Sequence, residues 1–249
     1  MGNCLKRLIL GGLLLLMLAA PALAGEINVS AAASLKEALT EIANIYMKRT
    51  SDVKVVCNFG ASGLLAQQVL NGAPTDIFIS ANLEWIEFLK AKGVLEPRSI
   101  RPFTFNALVF VAEPSKKVGS LEDLLKLQKI AIGSPKSVPA GAYAMDVLKK
   151  AGLDQKLGKR LVLAKDVREC LAYAERGEVD GAFVYRSDAL QAQKVAIAFT
   201  VPRGNGPRII YPGAMTETGS KKQEALAFYR FLQSGPAKAV LAKYGFSKN

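Results

Sequence analysis

The 249-residue chain contains no histidine, only three cysteines and a single tryptophan. The absence of histidine excludes Ser-His-Asp and Cys-His catalysis, histidine-ligated zinc and a histidine proton shuttle. An enzyme built from this sequence would have to use lysine, tyrosine or carboxylate chemistry. Half of the residues are apolar, which is enough for a folded core and excludes a disordered or fibrous chain. The length fits one large domain or two smaller ones.

The chain has an excess of basic residues, with 33 Lys and Arg against 21 Asp and Glu and a formal net charge of +12. Such a balance indicates an anionic partner, which is a nucleic acid, an anionic membrane or a small anion. The basic residues are scattered and are not interleaved with aromatic residues. This pattern argues against a nucleic-acid partner.

Residues 1–24 are typical of a secretory signal peptide. Lys6 and Arg7 precede an apolar run over residues 8–20, and Ala22-Leu23-Ala24 forms a small-residue cleavage site. The run is too short to be a good membrane span, although an uncleaved anchor is the alternative. The segment carries two basic residues and no acidic one, so cleavage after Ala24 lowers the net charge from +12 to +10. We expect the mature protein in the periplasm.

Two cysteines follow the signal segment, Cys57 in a predicted strand and Cys170 in the first turn of a predicted helix. An exported protein can form a disulfide, but these two residues lie far apart in the sequence. We expect two buried thiols, with a disulfide as the alternative.

Strand-like and helix-like segments alternate along the mature chain and then begin a second series. The predicted strands are 27–30, 53–59, 76–80, 107–112, 129–133, 161–163, 181–185 and 209–215. This alternation predicts α/β lobes with helices on the faces of each sheet. The last segment has no sheet of its own. We therefore expect lobe 1 at 25–105, lobe 2 at 106–207 and a return of 208–249 that completes lobe 1, with a ligand cleft between the lobes.

Four predicted helices begin with residues that are typical of anion sites. Ser34 and Asp166 each start a capping-box pattern, with Glu37 and Glu169 three residues further on. Helix starts expose free backbone N–H groups and a partial positive charge. Several such starts directed at one point form an anion site without charged side chains.

The other two helix starts follow the same logic. Ser62 lies between glycines at a strand-to-helix turn, and Pro139-Ala140-Gly141 opens a further helix. Tyr185 ends a predicted strand and offers a phenolic hydroxyl. Each feature alone is typical of an ordinary cap, turn or packed residue. Together, in a two-lobed exported protein, they favour a receptor for an oxyanion.

A serine hydrolase that does not use histidine is the remote alternative. Gly60-Ala61-Ser62-Gly63 resembles a nucleophile elbow, but Leu64 occupies the position of the final glycine. The Ser-x-x-Lys pattern at Ser51–Lys54 lies at a loop-to-strand junction rather than at a helix start. We therefore expect a binding protein and not an enzyme.

The chain also resembles the periplasmic molybdate-binding proteins of ABC-type molybdate importers. The segments that carry the resemblance are Ala31-Ala32-Ala33-Ser34-Leu35, Phe59-Gly60-Ala61-Ser62-Gly63, residues 72–81, Val138-Pro139-Ala140-Gly141, Asp166-Val167-Arg168, Val184-Tyr185-Arg186-Ser187-Asp188 and Lys243-Tyr244-Gly245-Phe246. They span essentially the whole mature chain. The resemblance implies a type II periplasmic binding fold, in which a cleft between two mixed-sheet α/β lobes holds molybdate or tungstate.

The resemblance also assigns the ligand contacts. Ser34 and Ser62 would donate hydrogen bonds from hydroxyl and backbone N–H, Ala140 and Val167 from backbone N–H, and Tyr185 from its hydroxyl. The molybdenum would be held as an oxyanion, without a metal ligand from the protein and without a further cofactor. The implied partner is the membrane permease of the importer, and we expect a monomer. Lys136 stands where members of this family often carry acidic residues or histidine, and it does not remove a predicted donor.

A site made only of donors suits a fully deprotonated dianion, which has no proton to give. An acceptor carboxylate would instead select a protonated anion such as hydrogen phosphate. Donor chemistry alone does not separate molybdate from sulfate, since cavity size must do that. A binding protein for sulfate, phosphate or another tetrahedral oxyanion is therefore the second hypothesis.

Overall fold

The computed structural model describes residues 25–50, 52–202 and 206–247, so the predicted signal peptide lies outside the described residues. The strands are β1 (Gly25–Ala32), β2 (Val53–Gly60), β3 (Ile77–Ile79), β4 (Arg101–Asn106), β5 (Leu108–Ala112), β6 (Ile130–Gly133), β7 (Leu161–Ala164), β8 (Gly181–Tyr185), β9 (Ala196–Thr200) and β10 (Ile209–Met215).

The α-helices lie between and after these strands. They are α1 (Lys36–Arg49), α2 (Ser62–Leu70), α3 (Glu84–Ala91), α4 (Pro139–Lys150), α5 (Asp154–Leu157), α6 (Val167–Glu175), α7 (Arg186–Ala189), α8 (Gln223–Phe231) and α9 (Gly235–Lys243). Short 3-10 turns are Ala33–Leu35, Pro97–Ser99, Pro114–Lys116, Glu122–Lys126, Gly158–Arg160 and Gly219–Lys221. The apolar pattern of residues 121–127 predicts a short helix, and the structure forms the 3-10 turn Glu122–Lys126 there.

The strands form two five-stranded mixed sheets, in the orders β2-β1-β3-β10-β4 and β7-β6-β8-β5-β9. In the first sheet β1 is parallel to β2 and β3, while β10 is antiparallel to β3 and β4. In the second sheet β6 is parallel to β7 and β8, while β5 is antiparallel to β8 and β9. The predicted fold class, two mixed-sheet α/β lobes, is confirmed.

The chain crosses between the sheets at Ala107, which separates β4 from β5, and again between β9 and β10. All strands of the second sheet lie between these crossings. The C-terminal segment packs back on the first sheet, where Lys243 Nζ and Tyr244 Oη each contact Glu41 Oε2 on α1, at 2.7 and 2.8 Å. The lobe limits at 105/106 and 207/208 stay predictions.

Burial follows the apolar pattern of the sequence. Strands β5, β6 and β8 are buried over their whole length, as strands covered on both faces require. Helix α1 buries one stripe, at Ala38, Leu39, Ile42, Ala43 and Tyr46, whose spacing is that of an amphipathic helix. No helix within the described ranges is long and apolar enough to cross a membrane.

Both cysteines of the described residues are free thiols, Cys57 in β2 and Cys170 in α6. This confirms the expectation of two thiols over the disulfide alternative. Cys170 is buried as expected, whereas Cys57 is only partly buried. Burial raises the pKa of Cys57 to about 11 and also raises the pKa of the fully buried Cys170. Neither thiol is therefore activated as a thiolate at neutral pH.

The start of α4 requires a residue without a side chain at Gly141. A Cβ atom there would collide with the backbone carbonyl of Gly133 at the end of β6. We expect Gly141→Ala to lower the free energy of unfolding by about 1–3 kcal/mol, because overpacking against backbone cannot relax by a rotamer change. Chemical denaturation measures this.

Gly158→Ala is the matched control. Gly158 has a helical φ of −49°, and nothing lies within 4 Å of its added Cβ. We expect this control to be neutral or to stabilise by less than about 1 kcal/mol. Equal effects of the two substitutions would contradict the role of the close approach at Gly141.

Candidate functional site

One cavity lies between the two lobes, and all five residues predicted as ligand donors line it. Its lining consists of Ala32, Ala33, Ser34, Gly60, Ala61, Ser62, Ala81, Val138, Pro139, Ala140, Asp166, Val167 and Tyr185. The cavity volume is about 10 Å³, which is room for about one water molecule. The structure thus brings the predicted residues together with the lobes closed around them.

Ser34 lies in the 3-10 turn that joins β1 to α1, and it is buried. Its hydroxyl makes a 2.8 Å hydrogen bond with the hydroxyl of Tyr211 on β10. It caps neither the turn nor α1, so the predicted capping box of Ser34 and Glu37 is wrong. The Glu37 carboxylate instead pairs with Arg168 of the other lobe. These long-range partners take both side chains away from the local cap.

Ser62 is the first residue of α2 and is also buried. Its Oγ accepts a hydrogen bond of 3.1 Å from the backbone N–H of Ala81. Because a backbone N–H can only donate, the Ser62 proton is free for a different acceptor. The neighbouring Gly63 N–H donates across the cleft to the Ser137 carbonyl at 2.9 Å.

Ala140 and Val167 contribute only backbone groups to the cavity. Ala140 is the second residue of α4, after Pro139, and Val167 is the first residue of α6. N–H groups in the first turn have no intrahelical acceptor, and the helix dipole makes their surroundings positive. Three helices, α2, α4 and α6, therefore begin at the same cavity.

Asp166 caps α6 as predicted, since its side chain accepts from the Glu169 N–H at 2.9 Å. The Glu169 carboxylate, however, accepts from the Lys165 N–H at 2.7 Å rather than from Asp166. Asp166 is the one ionisable carboxylate of the cavity lining, and the lining contains no lysine or arginine. Lys136 is exposed and lies outside this lining.

Tyr185 ends β8 and is 1% exposed. Its hydroxyl is buried and has no hydrogen-bond partner among the described residues. Burial raises the pKa of Tyr185 well above its usual value, with contributions from Tyr211, Tyr143 and Asp188, so the hydroxyl keeps its proton. A buried donor without an acceptor costs about 1–3 kcal/mol of folding stability. Such an unsatisfied donor is expected where a ligand supplies the missing acceptor.

Three further contacts join the lobes around the cavity. They are the ion pair of Glu37 and Arg168, the Gly63–Ser137 hydrogen bond and a 3.4 Å hydrogen bond from Tyr143 Oη to the Ala81 carbonyl. Sequence reasoning missed all of them, because each joins residues that are far apart in the chain.

The Arg168 side chain continues from this interlobe contact into lobe 2. Its Nε lies 2.9 Å from the fully buried carboxylate of Asp188, which also accepts from the Tyr185 N–H. Burial raises the pKa of Asp188 to about 7, while Arg168 and the Tyr185 N–H act to lower it. The backbone that carries Tyr185 is thereby linked to the lobe contact at Glu37.

Two larger cavities lie elsewhere and contain none of the predicted donors. One of about 300 Å³ lies between β4 and α9, and one of about 820 Å³ lies beside the crossings between the sheets. Neither brings several helix N-termini together, since Arg186 of α7 is the one first residue of an α-helix among their lining residues. Among the residues that the structure describes, no group of three His, Cys, Asp or Glu side chains is placed to hold a metal ion. The small interlobe cavity is therefore the best candidate site.

Comparison with known proteins agrees with this architecture. The molybdate-binding proteins ModA of Haemophilus influenzae and Escherichia coli are 35% and 36% identical to this chain. These alignments cover 91% and 90% of this chain and 91% and 89% of the relatives. The structure of the Azotobacter vinelandii periplasmic molybdate-binding protein matches with a TM-score of 0.79 at 25% identity, over 88% of this chain and 98% of that one.

A family model covers nearly the whole described chain. The model of the bacterial extracellular solute-binding proteins matches residues 27–247, which include both lobes and the C-terminal return. The agreement of sequence and overall structure over this length leads to one assignment. The chain belongs to the bacterial extracellular solute-binding protein family.

Proposed function

We propose that this protein captures molybdate, and also tungstate, in the interlobe cavity and delivers it to an ABC-type membrane importer. The observation that carries the proposal is the set of neutral donors at Ser34, Ser62, Ala140, Val167 and Tyr185 around one cavity without lysine or arginine. The orphaned Tyr185 hydroxyl adds to it. The ModA relatives, which are named for molybdate binding, support the choice of anion.

The chemistry of the donors fits a dianion that carries no proton, since the one carboxylate of the lining, Asp166, accepts from the Glu169 N–H at 2.9 Å as the cap of α6. Hydroxyl and backbone N–H groups satisfy its oxygens, and the starts of α2, α4 and α6 supply a positive potential. The donors come from both lobes, so the anion binds the closed arrangement better than an open one. An oxyanion of five atoms is larger than one water molecule, so the lobes separate slightly about the crossings to seat it.

The proposal also includes the cellular location of the protein and its partner. The signal segment of residues 1–24 would direct export and would be cleaved after Ala24, so that the binding protein would act in the periplasm. A membrane permease would receive the anion from the closed protein, which would act as a monomer. The protein would bind its ligand unchanged and would not act as an enzyme, in line with the relatives named for molybdate binding.

Removal of a hydroxyl donor tests the site. We expect Ser34→Ala, Ser62→Ala and Tyr185→Phe each to weaken molybdate binding by about 1.5–3 kcal/mol, because a hydrogen bond to a charged acceptor is lost. Isothermal titration calorimetry of the mature protein with molybdate, tungstate and sulfate measures this. Ser115→Ala, at an exposed serine, is the matched control and should leave the affinity unchanged. No heat with molybdate for the wild type would refute the proposed function.

Closure of the lobes is tested at Gly63. A Cβ atom there would lie 2.8 Å from the Ser137 carbonyl oxygen of the other lobe and 2.5 Å from Trp85 Cζ2. We expect Gly63→Ala to weaken anion binding by about 1–3 kcal/mol, because the added methyl group holds the lobes apart although every donor is kept. Calorimetry gives the affinity, and small-angle scattering gives the change in compactness.

Trp85 is the single tryptophan of the chain and lies beside Gly63 within lobe 1, so its fluorescence reports on the surroundings of the Gly63–Ser137 contact. In the wild type its emission should change when molybdate is added, and in Gly63→Ala that change should need more ligand. An unaltered titration curve in Gly63→Ala would show that this contact does not limit closure.

The pH dependence tests Tyr185 as a neutral donor. Because its pKa is raised, the protonated form persists above the usual tyrosine value of about 10. We therefore expect molybdate affinity to hold through pH ~10 and to fall only at more alkaline pH, where the phenolate would repel the anion. In Tyr185→Phe this alkaline loss should be absent. A loss centred below pH ~10 in the wild type alone would contradict the assignment.

A further inference from the structure

A chain of hydrogen bonds lies behind Ser34, outside the cavity lining. Asn106 Nδ2 lies 3.4 Å from Tyr211 Oη, and Tyr211 Oη lies 2.8 Å from Ser34 Oγ. Asn106 is the last residue of β4, at the crossing between the sheets, and Tyr211 is fully buried in β10. These hydrogen bonds therefore connect the crossing between the sheets to the cavity through Asn106 and Tyr211, whose side chains do not line the cavity.

The amide of Asn106 has a fixed orientation. Its Oδ1 accepts a hydrogen bond of 2.9 Å from the backbone N–H of Ala107. A backbone N–H needs an acceptor, so the amide oxygen must face Ala107 and the amide nitrogen must face the other side. There Nδ2 has two partners, Ser187 Oγ at 2.8 Å and Tyr211 Oη at 3.4 Å. Both hydrogens of the amide nitrogen thus have an acceptor.

The orientation of the amide determines the direction of the remaining bonds. An amide nitrogen only donates, so Tyr211 Oη accepts from Asn106. The bond between Tyr211 and Ser34 has the geometry for either direction. Ser34 Oγ is the remaining partner of the Tyr211 hydroxyl among the described residues, and a buried hydroxyl hydrogen without an acceptor is costly, which favours donation from Tyr211 to Ser34. Burial raises the pKa of Tyr211 well above its usual value, so this proton is present at neutral pH. Ser34 then accepts from Tyr211, and its hydroxyl hydrogen points away from Tyr211 and toward the cavity.

We propose that Asn106 and Tyr211 are positioning residues that make Ser34 an obligate hydrogen-bond donor and so select tetrahedral anions without a proton over monoprotonated ones. The inference rests on the proposed function. The Ser62 hydroxyl is oriented in the same way by a different group, since its Oγ accepts a hydrogen bond from the Ala81 N–H. Both serines thus accept from the protein and present a hydrogen to the ligand.

The substitution Asn106→Asp reverses the polarity with almost no change of shape. The new carboxylate oxygen accepts where Nδ2 donated, so Tyr211 turns its proton toward residue 106. Tyr211 Oη then accepts from Ser34, which presents a lone pair to the cavity instead of a hydrogen. A ligand with its own proton can donate to that lone pair, whereas a ligand without one meets repulsion.

Sulfate and hydrogen phosphate form the decisive pair of ligands. Under mildly alkaline conditions both are tetrahedral dianions of nearly equal size, and only hydrogen phosphate carries a proton. The negative charge that Asn106→Asp introduces repels both equally, so the ratio of their affinities isolates the effect of polarity. The affinities for sulfate and for hydrogen phosphate are measured by displacement of bound molybdate, which calorimetry or Trp85 fluorescence detects even where the competing anion binds weakly.

We expect Asn106→Asp to shift the ratio of sulfate to hydrogen phosphate affinity by about tenfold toward hydrogen phosphate, and to weaken molybdate binding by at least that factor. Tyr211→Phe removes the donor to Ser34 and should shift the same ratio in the same direction by less, because the serine hydroxyl is then free to turn. Ser187→Ala removes the other partner of Asn106 and should leave the ratio unchanged.

Thermal unfolding of each variant establishes that it is folded. If Asn106→Asp does not fold, the ratio in Tyr211→Phe decides the matter. An unchanged ratio in the folded variants, with both anions weakened equally or not at all, overturns the inference while leaving the proposed function intact. A wild type that binds no tetrahedral anion refutes the proposed function itself, and the inference with it.

Discussion

The interlobe site depends on the cost of burying a hydrogen-bond donor without an acceptor. A single unsatisfied donor costs about 1–3 kcal/mol, and a folded chain normally avoids it. Here the first turns of α2, α4 and α6 meet the Tyr185 hydroxyl in a cavity with room for one water molecule. Closure of the lobes without an anion leaves such groups poorly satisfied, whereas under the proposed function closure around an anion would satisfy them. The same constraint therefore links ligand capture to lobe movement.

The contacts that hold the lobes together lie next to the donors rather than apart from them. Arg168 follows Val167 in the first turn of α6, and it joins Glu37 of lobe 1 to the buried Asp188 of lobe 2. Asp188 in turn accepts from the backbone N–H of Tyr185. The position of the phenol and the pairing of the lobes are thus mechanically connected through one guanidinium group, whose planar shape can serve two carboxylates at once.

The sequence was sufficient to predict the two α/β lobes, because the buried strands are continuous apolar runs and the helices carry an apolar stripe. It was also sufficient to identify five residues that line one cavity, through helix-start patterns and a family resemblance. Strand β4 was not predicted, since Arg101-Pro102-Phe103-Thr104-Phe105-Asn106 mixes polar residues with a proline, as an edge strand tolerates.

Other features depended on distant partners that no local pattern contains. Ser34 and Glu37 have the spacing of a capping box, but Tyr211 and Arg168 bind their side chains instead. Tyr211 lies 177 residues after Ser34. The roles of Asn106 and Tyr211 follow only from the way in which β4 and β10 pair at the crossing between the lobes.

The position of β10 has a consequence for a chain whose N-terminal residues emerge first, as they do during synthesis on the ribosome. β10 lies between β3 and β4, so the first sheet stays in two pieces until residues near 215 have emerged. The second sheet comes from one continuous segment and can be complete earlier. The lobe that begins the sequence is therefore the lobe that finishes folding last, and the full donor set forms only when nearly all of the chain has emerged.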